Sequence, residues 1–82
     1  MNDEQTTISE LKETVEEFVR ERNWQQFHSP KNISMALAVE AAELVEHFQW
    51  LTVEESYSIT EDAEKFLGVS EDLADVVCYS LA

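Results

Sequence analysis

Apolar residues recur along this chain at three- and four-residue intervals, and no stretch alternates with period two. Ile8, Leu11, Val15, Phe18 and Val19 fall at i, i+3, i+7, i+10 and i+11, which lines one face of an α-helix. Thr7-Ile8-Ser9-Glu10 has capping-box spacing in front of it. A first helix is therefore expected over residues 8–22, behind a frayed polar stretch at 1–6. Residues 23–32 read as a loop, because Pro30 biases Ser29 away from helical dihedrals and Asn32 is placed to cap the next helix. From Ile33 to Leu51 there is neither Gly nor Pro, and alanine and leucine dominate, so a second helix is expected. Its apolar positions run nearly all the way round: Ile33, Leu37, Leu44, Val45, Phe48 and Leu51 on some sides, Met35, Val39 and a set of alanines on others. An ordinary surface helix shows one apolar stripe roughly 100° wide, so this one is expected to be buried. Thr52-Val53-Glu54-Glu55 repeats the capping-box spacing and opens a short helical turn, broken at 57–60. Thr60 is placed to cap a last helix whose expected apolar face is Phe66, Val69, Leu73, Val76, Val77 and Ser80. Gly68 lies inside it and costs about 1 kcal/mol relative to Ala, which suits either a close neighbour or a break into two shorter helices. The pattern stops at Ala82 without a capping signal, as a helix cut short does. The pattern predicts an all-α fold in a single domain over residues 1–82, with no repeat, low-complexity segment or linker.

The totals sharpen this picture. A chain of 82 residues has a high surface-to-volume ratio and a marginal core. An all-round apolar helix in so small a chain is expected to complete its core against a second copy. Eighteen acidic residues against five basic ones give a net charge of −13, which argues against direct DNA or RNA binding through phosphate neutralisation. Most of that excess, including Glu10, Glu13, Glu16, Glu17, Glu54, Glu55, Glu61 and Glu64, reads as solvated helix surface. The single cysteine, Cys78, allows no intrachain disulfide and reads as a small core residue. No signal sequence or membrane-length apolar run is present, so a cytoplasmic protein without membrane attachment is expected.

Charge becomes chemistry at two places. Glu40 and Glu43 are neighbours at i, i+3 on the central helix. If buried, they repel each other and cost several kcal/mol to desolvate. Bound cations, basic partners or protonation must compensate, and with so few basic residues cations are favoured. Asp72 and Asp75 repeat the spacing on the last helix, with Glu71 beside them and Tyr79 one turn beyond Asp75. Antiparallel packing of the two helices brings the pairs together as a nest of four carboxylates. Hard oxygen donors suit Mg²⁺ or Mn²⁺, and such a site suggests a nucleotide or pyrophosphate substrate attacked by an activated water. Against this stands the ordinary occurrence of acid pairs on solvated helices, which weighs most on Asp72 and Asp75. A di-iron bundle needs Glu-x-x-His, whereas Leu44 and Gln25 stand three before His47 and His28. His47, four after Glu43, either backs the acids or stands exposed. In the loop, Phe27 reads as a packing staple, while Trp24 and His28 serve equally as a lid on the core or a platform for a flat ligand.

These segments together are similar to those of a known family. Arg22-Asn23-Trp24-Gln25-Gln26-Phe27-His28-Ser29-Pro30-Lys31-Asn32, Glu40-Ala41-Ala42-Glu43-Leu44, Phe48-Gln49-Trp50 and Asp72-Leu73-Ala74-Asp75-Val76 resemble the MazG-like all-α nucleoside triphosphate pyrophosphohydrolases, near the dCTP pyrophosphatase branch. The resemblance covers residues from about 10 to the end. It implies an antiparallel helical bundle of the four-helix type, completed as a homodimer or homotetramer. It also implies Mg²⁺-dependent hydrolysis of (deoxy)nucleoside triphosphates to monophosphate and pyrophosphate, a house-cleaning of nucleotide pools. Glu40, Glu43, Asp72 and Asp75 then hold the metal, with Glu40 or Glu43 orienting or deprotonating the water. Trp24, His28 and Trp50 form the base pocket, Lys31 and Asn32 contact the nucleotide, and Tyr79 lies near the phosphates. Two departures stand out: Asp72 occupies a position where the family usually has glutamate, and the family's helix after this point is absent. The departures keep one rival reading in play, a non-catalytic acidic helical module that meets basic side chains of another protein.

Overall fold

Helix α1 spans Ile8–Glu21, α2 Pro30–Glu46, α3 Val53–Tyr57 and α4 Ala63–Leu81, with single 3₁₀ turns at Gln25–Phe27 and Ile59–Glu61 and no strand, in a computed structural model that describes residues 1–82. The fold is all-α, as the periodicity predicts. Its spine is the pairing of α2 with α4. Their direction is antiparallel: His28, just before α2, approaches Tyr79 near the end of α4, while His47 at the C-terminal end of α2 meets Asp72 and Gly68 in the first half of α4. The half-buried positions of α2 are Ile33, Ala36, Leu37, Glu40, Leu44 and His47, and those of α4 include Val69, Asp72, Val76 and Tyr79. Each set recurs every three or four residues and so forms one face. Helix α1 lies against α4 through Leu11, Val15 and Val19, and Val19, at 8% exposure, is the only buried residue.

The helix starts are fixed by side-chain caps, at places that partly differ from expectation. Thr7 caps α1 by accepting from the Glu10 N–H. Helix α2 begins at Pro30 rather than after Asn32: the Ser29 hydroxyl accepts from the Asn32 N–H at 3.1 Å, and proline at the first helical position has no N–H to leave unpaired. The central helix ends at Glu46, four to five residues before the expected Trp50–Leu51, and tightens into successive turns through Leu51. The second capping box is complete: Thr52 Oγ1 accepts from the Glu55 N–H, and the Thr52 N–H donates to Glu55 Oε1, which holds the Glu55 carboxyl below the usual range. Asp62, not Thr60, caps α4.

Burial corrects the sequence reading more deeply. The expected buried helix is buried on one side only. Met35, Val39 and Val45 stand 57–58% exposed on the other. On α4 the face turned to α2 is Val69, Asp72, Val76 and Tyr79, whereas Phe66, Leu73 and Val77 of the expected face are 45–49% exposed. Cys78 and Phe27 are exposed rather than packed. The surface of the chain is 6589 Å², against roughly 5,000 Å² for a closed monomer of its mass of 9.5 kDa. Its radius of gyration is 15.0 Å, where about 12 Å is usual for this length. The molecule is a slab, 41 × 32 × 17 Å, with apolar surface left open. No helix is long and apolar enough to cross a membrane.

Candidate functional site

Two features meet on the inner side of the slab: a carboxylate cluster between α2 and α4, and an apolar cavity between α1 and α4. The cluster arises from the helical spacing. Glu40 lies on the face of α2 that packs against α4, Glu43 at its edge, and Asp72 opposite on α4. One carboxylate oxygen from each of the three lies within 4.8 Å of the other two. Two oxygens on one Mg²⁺ are at most about 4.2 Å apart, twice the usual bond of about 2.1 Å, so small side-chain rotations convert this cluster into a chelate. Glu43 is exposed, while Glu40 and Asp72 are half-buried. Glu40 Oε2 is shut off from solvent and has no hydrogen-bond partner. Burial pushes the Glu40 carboxyl above the usual range, and the neighbouring carboxylates of Glu43, Asp75 and Asp72 add to the push. No lysine or arginine pairs with any of the three; the single partner is His47, whose Nε2 lies 2.6 Å from Asp72 Oδ2.

Asp75 is not within the 4.8 Å group. It nevertheless acts on Glu40 electrostatically, and it also lines the cavity. That cavity has a volume of about 450 Å³, within the span of small-molecule sites. Its walls include Val15, Phe18 and Val19 from α1, Trp24 and His28 from the connection, and Tyr79 from α4. Cys78 also contributes to the wall.

The way α1 ends places the indole. Asn23 adopts φ 56°, the only positive φ in the chain. The Trp24 N–H reaches back to the Val19 carbonyl at 3.0 Å and the Asn23 N–H to the Arg20 carbonyl at 3.1 Å. This is the Schellman arrangement, in which the residue after the left-handed one packs back on the last turn. Trp24 does so against Phe18, edge to face with centroids 5.7 Å apart. The Arg22 guanidinium covers the Phe18 ring at 3.5 Å. His28 and Tyr79, both on the cavity wall, form a tilted ring pair with centroids 6.4 Å apart.

Of the residues singled out in the sequence, Glu40, Glu43 and Asp72 come together in the cluster. Trp24, His28, Asp75 and Tyr79 come together around the cavity. Lys31, Asn32 and Trp50 join neither group. Lys31 is exposed in the first turn of α2, and the Asn32 amide is used locally, donating to the Phe27 carbonyl at 3.1 Å. Trp50 is 87% exposed beyond the far end of α2. His28 and Trp50 bracket that helix of 17 residues, about 25 Å at the usual rise, so one chain does not fold both around one base. The residues underrated by sequence are Phe18, read only as part of the α1 stripe, and His47. The spacing held a clue to His47: it comes seven after Glu40 and four after Glu43, on their side of α2.

No family model matches the chain. Among curated proteins it is similar to dCTP pyrophosphatase 1, with 37% identity to the Homo sapiens protein and 36% to those of Bos taurus and Mus musculus, over 76 residues in each case. The alignments take in 93% of this chain but 45% of each relative, so the chain spans somewhat under half the length of the curated relatives it matches. Across nearly all of its own length, then, the chain is similar to a pyrophosphatase of the branch that its loop and acid motifs resemble.

Proposed function

We propose that this chain contributes a divalent-metal site for hydrolysis of (deoxy)nucleoside triphosphates to monophosphate and pyrophosphate, as part of the house-cleaning of nucleotide pools. The observation that carries the reading is Asp75, which stands at once on the wall of an aromatic cavity and in the field of the Glu40 cluster. A nucleotide needs those two environments side by side: a flat apolar slot for the base, and a centre for the phosphates. The relatives' name supports the same substrate class.

The donor set fits a hard cation. Three carboxylates, one of them with an orphaned oxygen, match the all-oxygen preference of Mg²⁺ or Mn²⁺. Glu40, Glu43 and Asp72 hold the ion, with Asp75 completing the set. When bound, the ion supplies the positive charge that the triphosphate and the crowded carboxylates both require. Glu43, the exposed member of the cluster, also orients or deprotonates the attacking water. Water adds to phosphorus, the phosphoanhydride bond breaks, and pyrophosphate leaves. Trp24 offers a ring face for stacking, and His28 and Tyr79 close the slot. Lys31 and Asn32 meet substrate, as does Trp50, only in an assembly that brings them to a cavity. That assembly is a homodimer or homotetramer closing over the open apolar faces.

The test is incubation with each (deoxy)nucleoside triphosphate and Mg²⁺, with products separated by ion exchange and an EDTA control. Monophosphate and pyrophosphate, both lost with EDTA, are expected, and Glu43→Ala is expected to lower the rate by at least about 100-fold, the usual worth of a positioned acid–base group. Diphosphate and phosphate as products overturn the reading, as does a Glu43→Ala chain that works at the unaltered rate.

A further inference from the structure

His47 is the one side chain outside the assigned set that is bonded to the carboxylate cluster. We infer that His47 is a positioning residue for the metal centre, holding the Asp72 carboxylate in the rotation that keeps an oxygen beside Glu40 and Glu43. This role rests on the cluster being a metal site and adds a residue to it.

Three observations converge. The first is the contact: with Asp72 ionised, His47 Nε2–H donates to Oδ2 at 2.6 Å, and the two side chains are only 30% and 19% exposed. Charge-assisted bonds of this kind are short and strong where water is scarce. The second is the seat of the ring. A Cβ built on Gly68 meets His47 Cε1 at 3.0 Å, Nε2 at 3.7 Å and Nδ1 at 3.8 Å. The imidazole therefore occupies the space a side chain would fill, and Gly68, the only glycine of the chain, sits in mid-helix despite its low helix propensity. The third is register. Gly68 and Asp72 are one turn apart on α4, so the backbone that supports the ring and the carboxylate that accepts its N–H lie along one face. A histidine on an open surface needs neither a cradle nor a carboxylate at this distance. The shortness of Asp72 gives the arrangement its use: two rotatable bonds leave a carboxylate free to turn away, and one oxygen pinned by His47 fixes where the other points. Partners that orient a ligating group in this way are typically worth about 10–100-fold in metal affinity.

The test is Mn²⁺ titration followed by electron paramagnetic resonance of the free ion, with circular dichroism to confirm folding. His47→Ala is expected to raise the Mn²⁺ Kd by about 10–100-fold, and His47→Gln, whose amide nitrogen takes the place of Nε2, to recover most of the loss. Gly68→Ala is expected to weaken Mn²⁺ binding in the unaltered background and to add nothing to His47→Ala. A role confined to holding the helices together lowers Tm without moving the Kd. The inference falls if His47→Ala binds Mn²⁺ as tightly as the unaltered chain while Asp72→Ala does not bind. If His47→Ala fails to fold, unchanged affinity in Gly68→Ala overturns it in the same way. Absence of Mn²⁺ binding by the unaltered chain overturns the metal reading itself, and the inference with it.

Discussion

Asn23 illustrates how much a single backbone angle positions. Its left-handed φ reverses the chain after α1 and sets Trp24 on Phe18 at the cavity wall. Asparagine tolerates this conformation better than most residues, and glycine better still. Asn23→Gly is therefore expected to keep Tm and ligand binding, whereas Asn23→Val is expected to cost about 1–2 kcal/mol in a urea melt and to displace the indole. Glu40 makes a second residue-level prediction. Its carboxyl is held above the usual range, chiefly by burial, so the folded metal-free chain binds that proton more tightly than the unfolded one. Stability then falls as pH rises from the unfolded value through the raised folded value, and stays low above it. Glu40→Gln should accordingly raise the Tm of the metal-free chain at pH 7 while abolishing the gain in Tm on adding Mn²⁺. A Tm unchanged by both the substitution and the metal counts against the cluster. In the unaltered chain, at a pH between the unfolded and the raised folded value of Glu40, Mn²⁺ binding should release protons, read as a heat that depends on buffer ionisation in calorimetry.

Helices α2 and α4 show what was legible in the sequence and what was not. Their existence came from period and composition, and the meeting of Glu40, Glu43 and Asp72 came from i, i+3 spacing on antiparallel partners. The cap positions were harder to read, because Ser29 with Pro30 and Asp62 compete with equally good neighbours, Asn32 and Thr60, and local geometry decides. The buried face of α4 was only partly legible. Of the expected face, Val69 and Val76 turn to α2, whereas Phe66, Leu73 and Val77 stay exposed, and Gly68, Asp72 and Tyr79 complete the side toward α2. A helix with two apolar sides gives no sign, by itself, of which one its own chain will cover. The uncovered side of α2 carries Met35, Val39 and Val45, a pattern that suits another helix. Val39→Glu is expected to leave helix content unchanged and to shift the sedimentation coefficient toward that of the monomer; if the variant and the unaltered chain sediment alike, that face is not where copies meet.

Between the slab's 6589 Å² and the roughly 5,000 Å² of a closed monomer lies an excess of about the area that each member of an obligate pair contributes. Association of copies over this open surface predicts a Tm that rises with protein concentration. A flat concentration series would show that the slab stands alone. The two tryptophans, finally, sit in unlike surroundings. Trp24 packs edge-on against Phe18 at the cavity, 44% exposed, while Trp50 is 87% exposed at the opposite end of α2. Their fluorescence separates accordingly: in a single copy Trp50 emits as an indole in water, whereas Trp24 emits further to the blue and within stacking distance of anything that enters the slot. A Trp50→Phe chain thus carries its own optical probe of occupancy, in which quenching by an added base reports the cavity alone and no external dye is needed.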